Sequence, residues 1–400
     1  MDEKRDNLIV EPMTSAEDAT PPQDNAEGVT VATTETPQPE NPRKKSQLWS
    51  NIFFVVSIAL SLYLIYGLSR KASNGSEKSF VEVWSGVNVK YLILSVATLL
   101  GMMILDSLKY FVIMRATKVG ANYKTALTVG LLGKYYDYIT PFSSGGQPMQ
   151  IYYLHKKGIG GGESSAVIFI KFAFNMAMWL TLCFCLMVFN KQALLQYVTD
   201  STQLKIFQIG GWIGFAVNCA LPLLIISCVL LPKMTWAITR WVLRIGSKLK
   251  IVKNKDEVYA RAKKAVDNFV KAFMRMVKKP LHSVALALLC VAEPLLGMIL
   301  PYFVVVALGG VPSTELMFAI MTLNVYVQMS VTVVPTPGNS GAMESAFMMT
   351  LVSVSEGVLF WTVFTWRFLS YYSYIIIGLA ITIWHLIKNN RSKKSSLLHD

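Results

Sequence analysis

The stretch Lys134-Tyr135-Tyr136-Asp137-Tyr138-Ile139-Thr140-Pro141-Phe142-Ser143-Ser144-Gly145-Gly146-Gln147-Pro148 decides how this chain folds. A short apolar run, 125–133, precedes it, and a short amphipathic piece, 149–154, follows and ends in His155-Lys156-Lys157-Gly158. Neither run reaches the roughly 20 residues that a helix needs to cross a bilayer. The prolines and glycines between them remove backbone hydrogen bonds and break the helical pattern. The segment therefore reads as half-helix, turn, half-helix. A second element of this kind lies downstream: 315–334 leads into Pro335-Thr336-Pro337-Gly338-Asn339-Ser340-Gly341, and 342–354 forms its second half and carries Glu344.

Around these breaks the sequence is that of a membrane protein. The chain has 400 residues, 53% hydrophobic and only 16% charged, with a mean hydropathy of +0.43. Soluble domains carry about 25% charged residues, so the composition excludes a soluble enzyme, a secreted disulfide scaffold and a fibrous protein. Full spans are expected at about 48–68, 91–114, 165–190, 207–231, 281–308 and 358–387. The predicted class is an all-α polytopic membrane protein with about six full spans plus two re-entrant broken helices of opposite orientation. That is the arrangement of an inverted-repeat transporter, although no residue-level repeat is evident. A kinked helix or a tight interfacial loop is the plainer reading of each break.

Charge sets the sides. The formal net charge is +14, and the Pro-, Thr- and acid-rich residues 1–46 read as a disordered cytoplasmic tail. Arg43-Lys44-Lys45, the basic loop 233–280 and the basic tail 389–400 mark the cytoplasmic face, so both termini are expected inside a bacterial plasma membrane. Apolar positions at helical spacing within the loop, including Phe269 and Phe273, read as an amphipathic helix on the membrane surface or against the bundle. The integral domain is then 47–388. The basic residues flank apolar spans and form no nucleic-acid module, so no nucleic-acid partner is expected. All five Cys lie in apolar runs at spacings unsuited to a disulfide framework or a metal site. No metal or other cofactor is expected.

Irregular backbone at membrane depth must be buried in protein or line a wet cavity, since lipid offers its polar groups no partners. The two breaks are thus the best site candidates. Their freed N–H groups and half-helix N-termini can hold an anion. Thr140, Ser143, Ser144 and Gln147 add neutral hydrogen-bonding groups, and Gly145, Gly146, Gly338 and Gly341, with Pro337, allow close approach. Ionisable residues inside spans cost roughly 2.5–3.5 kcal/mol each at a helix centre, so each needs a reason. Asp106 and Lys109 are three apart and can neutralise each other, as can Lys134 and Asp137. Glu344 and Arg367 lack a partner within four residues. Each needs one on another helix, or each other, or a bound lipid's charge. Lys171 can snorkel to the cytoplasmic surface, and Glu293, before Pro294, can satisfy backbone groups freed by that proline. No Ser/His/Asp or Cys/His set falls at one depth, and no nucleotide-binding loop is present.

Three runs resemble one family. Residues 138–148 with Gln150-Ile151-Tyr152-Tyr153-Leu154, the run Pro335 to Gly341 with Glu344, and Arg367-Phe368-Leu369-Ser370-Tyr371-Tyr372 are similar to the signature of the lysylphosphatidylglycerol synthase transmembrane, flippase-like family. The resemblance covers roughly 49–387. It implies a membrane domain that moves lipids, such as aminoacylated phosphatidylglycerol or polyprenyl-linked intermediates, between leaflets. Lys134 and Arg367 would balance phosphate, and Asp137 and Glu344 an amine or a proton. Full-length synthases add a C-terminal domain that transfers lysine from lysyl-tRNA, and this chain is expected to lack it. Phosphatidylglycerol lysyltransferase activity, or service as a membrane partner of such an enzyme, is the alternative. The expected partners are membrane phospholipids, anionic or aminoacylated, with a homodimer or a separate lipid-modifying enzyme left open.

Overall fold

The computed structural model describes residues 78–230 and 255–396, apart from 121 and 356, together with residues 59, 63, 66, 67, 240 and 241. The acidic tail, nearly all of the expected first span, the 231–254 part of the basic loop apart from 240 and 241, and the last four residues lie outside the described residues. In chain order the helices are α1 (Phe80–Ser85), α2 (Val89–Thr117), α3 (Tyr123–Ile139), α4 (Gly146–Lys156), α5 (Gly161–Phe189), α6 (Gln192–Tyr197), α7 (Ser201–Leu230), α8 (Lys255–Val277), α9 (Pro280–Ala307), α10 (Thr314–Ser330), α11 (Ala342–Leu351), α12 (Leu359–Arg367) and α13 (Ser373–Ser396). Among the described residues, four stretches are long and apolar enough to cross a membrane: Val89–Thr117, Gly161–Phe189, Pro280–Ala307 and Leu359–His385. Helix α7, at 30 residues, is as long. Ile93, Leu100, Ile104, Phe184, Ile213, Leu288 and Ile376 are exposed on the outside of these helices. Water does not tolerate so extensive an apolar surface, and lipid does.

Hydrogen bonds fix which helix ends lie together. At one end, the Asn88 N–H before α2 donates to the Ala307 carbonyl that closes α9, at 2.8 Å. Asn190, after α5, donates through Nδ2 to Phe318 O and Thr322 Oγ1 near the start of α10, at 3.0 and 2.8 Å. At the other end, Lys279 before α9 donates to Ala116 O near the end of α2, at 2.8 Å. The loops give α3 and α4 their outer ends at this second end, beside Arg115, Lys118, Lys156 and Lys157. The amphipathic helix α8 packs here too, seating Ala272, Met276, Phe269 and Phe273 against the core of Ile113, Met114, Val167 and Ile170. Its Lys263, Lys264, Lys271 and Arg275 stay exposed.

Thus α3–α4 enters and leaves at the basic end, and α10–α11 enters and leaves at the opposite end. At 1.5 Å per residue, the 17-residue α3 and α10 are about 25 Å long, and α4 and α11 are roughly 15 Å, all short of an apolar core about 30 Å thick. The two inner turns meet. The Tyr371 hydroxyl lies 3.1 Å from the Tyr138 carbonyl at the end of α3 and 3.4 Å from the Pro337 carbonyl in the second turn.

A residue-level repeat, hidden in the sequence read alone, emerges at these turns. Thr140-Pro141-Phe142-Ser143-Ser144-Gly145 and Thr336-Pro337-Gly338-Asn339-Ser340-Gly341 share Thr, Pro, Ser and Gly at matching positions. Their backbones match through the left-handed residues and part at the serine, which is helical at Ser144 (φ −93°, ψ −10°) and extended at Ser340 (φ −58°, ψ 141°). An extended threonine leads through proline to a left-handed residue, Phe142 (φ 56°, ψ 19°) or Gly338 (φ 56°, ψ 26°), and then to Ser143 (φ 50°) or Asn339 (φ 53°). The threonine carbonyl accepts from the residue three on in both, at 3.3 and 3.0 Å. Only the second copy requires glycine at the left-handed position for space as well as φ, because a Cβ there would strike the Tyr371 ring.

The last span departs from a uniform helix. A π-helical turn, Phe368–Tyr372, separates α12 from α13 directly after Arg367. Such widened turns shift the register of the following side chains, and this one carries Tyr371.

Candidate functional site

Where α2, α3, α5 and α7 face the two turns there is a cavity of about 530 Å³. Lys134 and Asp137 reach it from α3, Ser143, Ser144 and Gln147 from the first turn and the start of α4, and Lys171 from α5. These six sequence candidates are thus brought together. Asn339 represents the second turn in the lining. Phe142, 62% exposed, and Val217, 49% exposed, are also in the wall, so the cavity reaches the outer surface of the bundle.

Behind the cavity the charged side chains form one chain of alternating sign. Lys134 lies 4.0 Å from Glu293 on α9, Glu293 2.8 Å from Lys109 on α2, Lys109 3.8 Å from Asp106, and Asp106 2.9 Å from Lys171. Lys109 is fully buried and also donates to Asn175 Oδ1 at 2.5 Å. The pairing differs from what spacing alone offers. Lys109 makes its shorter contact with Glu293 rather than with its own-helix neighbour Asp106. Glu293 binds two lysines rather than the backbone near Pro294, and Lys171 turns inward to Asp106. Three ammonium groups against two carboxylates leave this chain with one excess positive charge. Asp137, the next carboxylate at the cavity, accepts from the Gly146 N–H at 2.9 Å.

The first turn holds itself through Thr140, whose Oγ1 accepts from the Gly145 N–H and donates to the Tyr136 carbonyl, at 2.9 and 2.7 Å. Gly145 and Gly146 leave room for these contacts. A Cβ on Gly145 would come within 2.6 Å of the Thr140 methyl, and one on Gly146 would strike the Asp137 carboxylate.

Glu344 and Arg367 find each other, with Oε1 and Nε 2.5 Å apart and both side chains almost wholly buried. Glu344 Oε2 accepts the Gly341 N–H at 2.6 Å and so caps α11. The Arg367 guanidinium donates to the Gly338 carbonyl at 2.6 Å and to Ser340 Oγ at 3.3 Å, and lies 4.1 Å from the Tyr371 ring centroid. Pro337, Gly338, Gly341, Glu344 and Arg367 therefore form a packed clamp outside the cavity lining. At the start of both half-helices that follow a turn, the chain's own carboxylate takes a backbone N–H, that of Gly146, the first residue of α4, and that of Gly341, the residue before α11.

Neutral residues complete the cavity. Gln150, on α4, donates to Tyr110 Oη at 2.7 Å and to the Val129 carbonyl at 3.0 Å. Asn218, on α7, donates to Thr332 Oγ1 at 3.0 Å. With Asn175 and Asn339 these groups escape a reading that searches apolar spans for ionisable residues. Their one signal is an amide side chain on the path between two charged positions.

The model of the lysylphosphatidylglycerol synthase TM region matches residues 54–378, which includes both turns, the cavity and the clamp. No curated protein and no solved structure matches the chain.

Proposed function

The chain belongs to the family of the lysylphosphatidylglycerol synthase TM region, a multi-pass membrane domain with a lipid-related role, and from this we propose that it moves phospholipid headgroups between leaflets. The observation that carries the reading is the cavity of about 530 Å³, which joins charged and amide side chains to a wall reaching the apolar exterior. A headgroup enters there while its acyl chains stay in the bilayer. Lys134 and Lys171 attract the phosphate, and their ammonium groups sit in surroundings where a single charge counts for more than in water. Asp137 faces an amine where the headgroup carries one, as in aminoacylated phosphatidylglycerol. Ser143, Ser144, Gln147 and Asn218 hydrogen-bond the remaining polar atoms. In this reading the protein resides in a bacterial plasma membrane with both termini cytoplasmic, so the basic end and α8 meet anionic lipid on that side.

The test uses the purified full chain in vesicles carrying fluorescent phospholipids of several headgroups. Exchange between leaflets above that of empty vesicles is expected, reduced by Lys134→Gln. No exchange for any headgroup overturns the reading.

A further inference from the structure

The repeat seen at the turns continues without a gap. Lys171 stands 31 residues after Thr140 and Arg367 stands 31 residues after Thr336, and each is followed by phenylalanine, Phe172 or Phe368. Between these points α4 and α11 begin six residues after their threonines. Lys171 and Arg367 are therefore equivalent cations on the spans that follow equivalent turns.

The two copies are caught in different arrangements. In the second, the cation is folded onto its turn, where Arg367 holds the Gly338 carbonyl, the Ser340 hydroxyl and the Glu344 carboxylate. In the first, Lys171 points across the cavity to Asp106 at 2.9 Å, and Asp137, the carboxylate that caps the half-helix after the turn, lines the cavity with it. The first copy thus has a cation and a carboxylate facing its turn, but the carboxylate comes from a different place: Asp137 stands before Thr140, whereas Glu344 stands after Thr336, at the position that Pro148 holds in the first copy.

We propose that the first half closes as the second already has. Lys171 leaves Asp106, takes the Phe142 carbonyl and the Ser144 hydroxyl as Arg367 takes their counterparts, and meets Asp137, which seals the cavity. Lys171 is then the positioning residue that sets access to the site. The open form leaves it with Asp106, and the closed form gives it the turn. The closure is read from the internal repeat, so it stands apart from any lipid exchange.

By sequence offset the counterparts of Phe142 and Asn175 are Gly338 and Tyr371, which touch, Tyr371 from a π-helical turn where α5 stays α-helical. A Phe142→Cys/Asn175→Cys pair in the purified full chain, treated with an oxidant and read by peptide mass spectrometry, should form a 142–175 disulfide, since closure seats position 175 on the turn as the Tyr371 ring sits on Gly338, and a bridge reports that approach. Adding Lys171→Gln should lower the yield at least about fivefold, the low end of what a conformational coupling supplies, and Lys171→Arg should restore it. A correctly eluting protein that forms no such disulfide, or forms it equally with Lys171→Gln, overturns the proposal. Should the double cysteine variant not fold, Gln147→Cys alone reports the same change. Its maleimide labelling should be at least about fivefold faster with Lys171→Gln than with Lys171, and equal rates refute the latch. Cross-linking together with no leaflet exchange would retain the closure and reject the lipid reading.

Discussion

Replacing Arg367 by methionine tests the second turn most directly. The change removes the cation that lies 2.5 Å from Glu344 and 2.6 Å from the Gly338 carbonyl. Methionine fills much of the volume, so the loss is electrostatic. Breaking a buried pair from one side costs about 3–5 kcal/mol, because the other charge stays behind uncompensated. At about 2 °C per kcal/mol for a domain of this size, the apparent melting temperature should fall by roughly 6–10 °C. Glu344→Gln removes the other charge but keeps an oxygen that can accept the Gly341 N–H, so the cap survives. In the double variant neither charge is stranded, and its cost should be about 2 kcal/mol less than the sum of the two single changes. Melting of the detergent-solubilised protein, followed by tryptophan fluorescence, reads all four species. Additive losses, or an Arg367→Met protein that melts with the wild type, would show that the clamp is not the coupled unit described here.

Gly338→Ala should destabilise the protein by about 1–2 kcal/mol from the left-handed backbone alone, and by more from the methyl pressed on Tyr371, whereas Phe142→Gly at the matching place should leave the melting temperature nearly unchanged. Lys109→Met strands Glu293 with only the more distant Lys134 and should lower stability by about 3–5 kcal/mol, with Glu293→Gln recovering part of the loss in the same melting assay. Lys134, whose side chain is 29% exposed, should behave differently. Lys134→Gln should move the melting temperature little while lowering leaflet exchange of anionic lipids more than that of zwitterionic ones. Gln150→Leu leaves the Val129 carbonyl without its side-chain donor and should cost about 1–3 kcal/mol.

Much of this architecture was legible because bilayer thickness is a ruler. The runs on either side of the first break are too short to span, so length identifies them as half-helices, while the second element is marked by its Pro-Gly break; the two enter from opposite ends. Glu344 and Arg367 stand out by the same economy, since neither has an opposite charge within four residues of it in the sequence. Spacing misled where three dimensions offered something nearer. Lys134 and Asp137 are three apart, yet the lysine lies nearer Glu293 on α9 and the aspartate binds the Gly146 N–H. Asn175 and Asn218 passed unnoticed because a neutral amide in an apolar span costs too little to demand explanation. The repeat stayed hidden because only the turn residues and a few scattered positions match, while the cation changes from lysine to arginine.

One hydroxyl hydrogen on Tyr371 lies between two acceptors, the Tyr138 carbonyl of one hairpin and the Pro337 carbonyl of the other. It can serve only one of them fully at a time. A shift of either tip by a fraction of an ångström changes which neighbour it serves, at a cost no greater than one ordinary hydrogen bond of about 0.5–1.5 kcal/mol. The phenol is therefore shared between the two hairpin tips rather than owned by either.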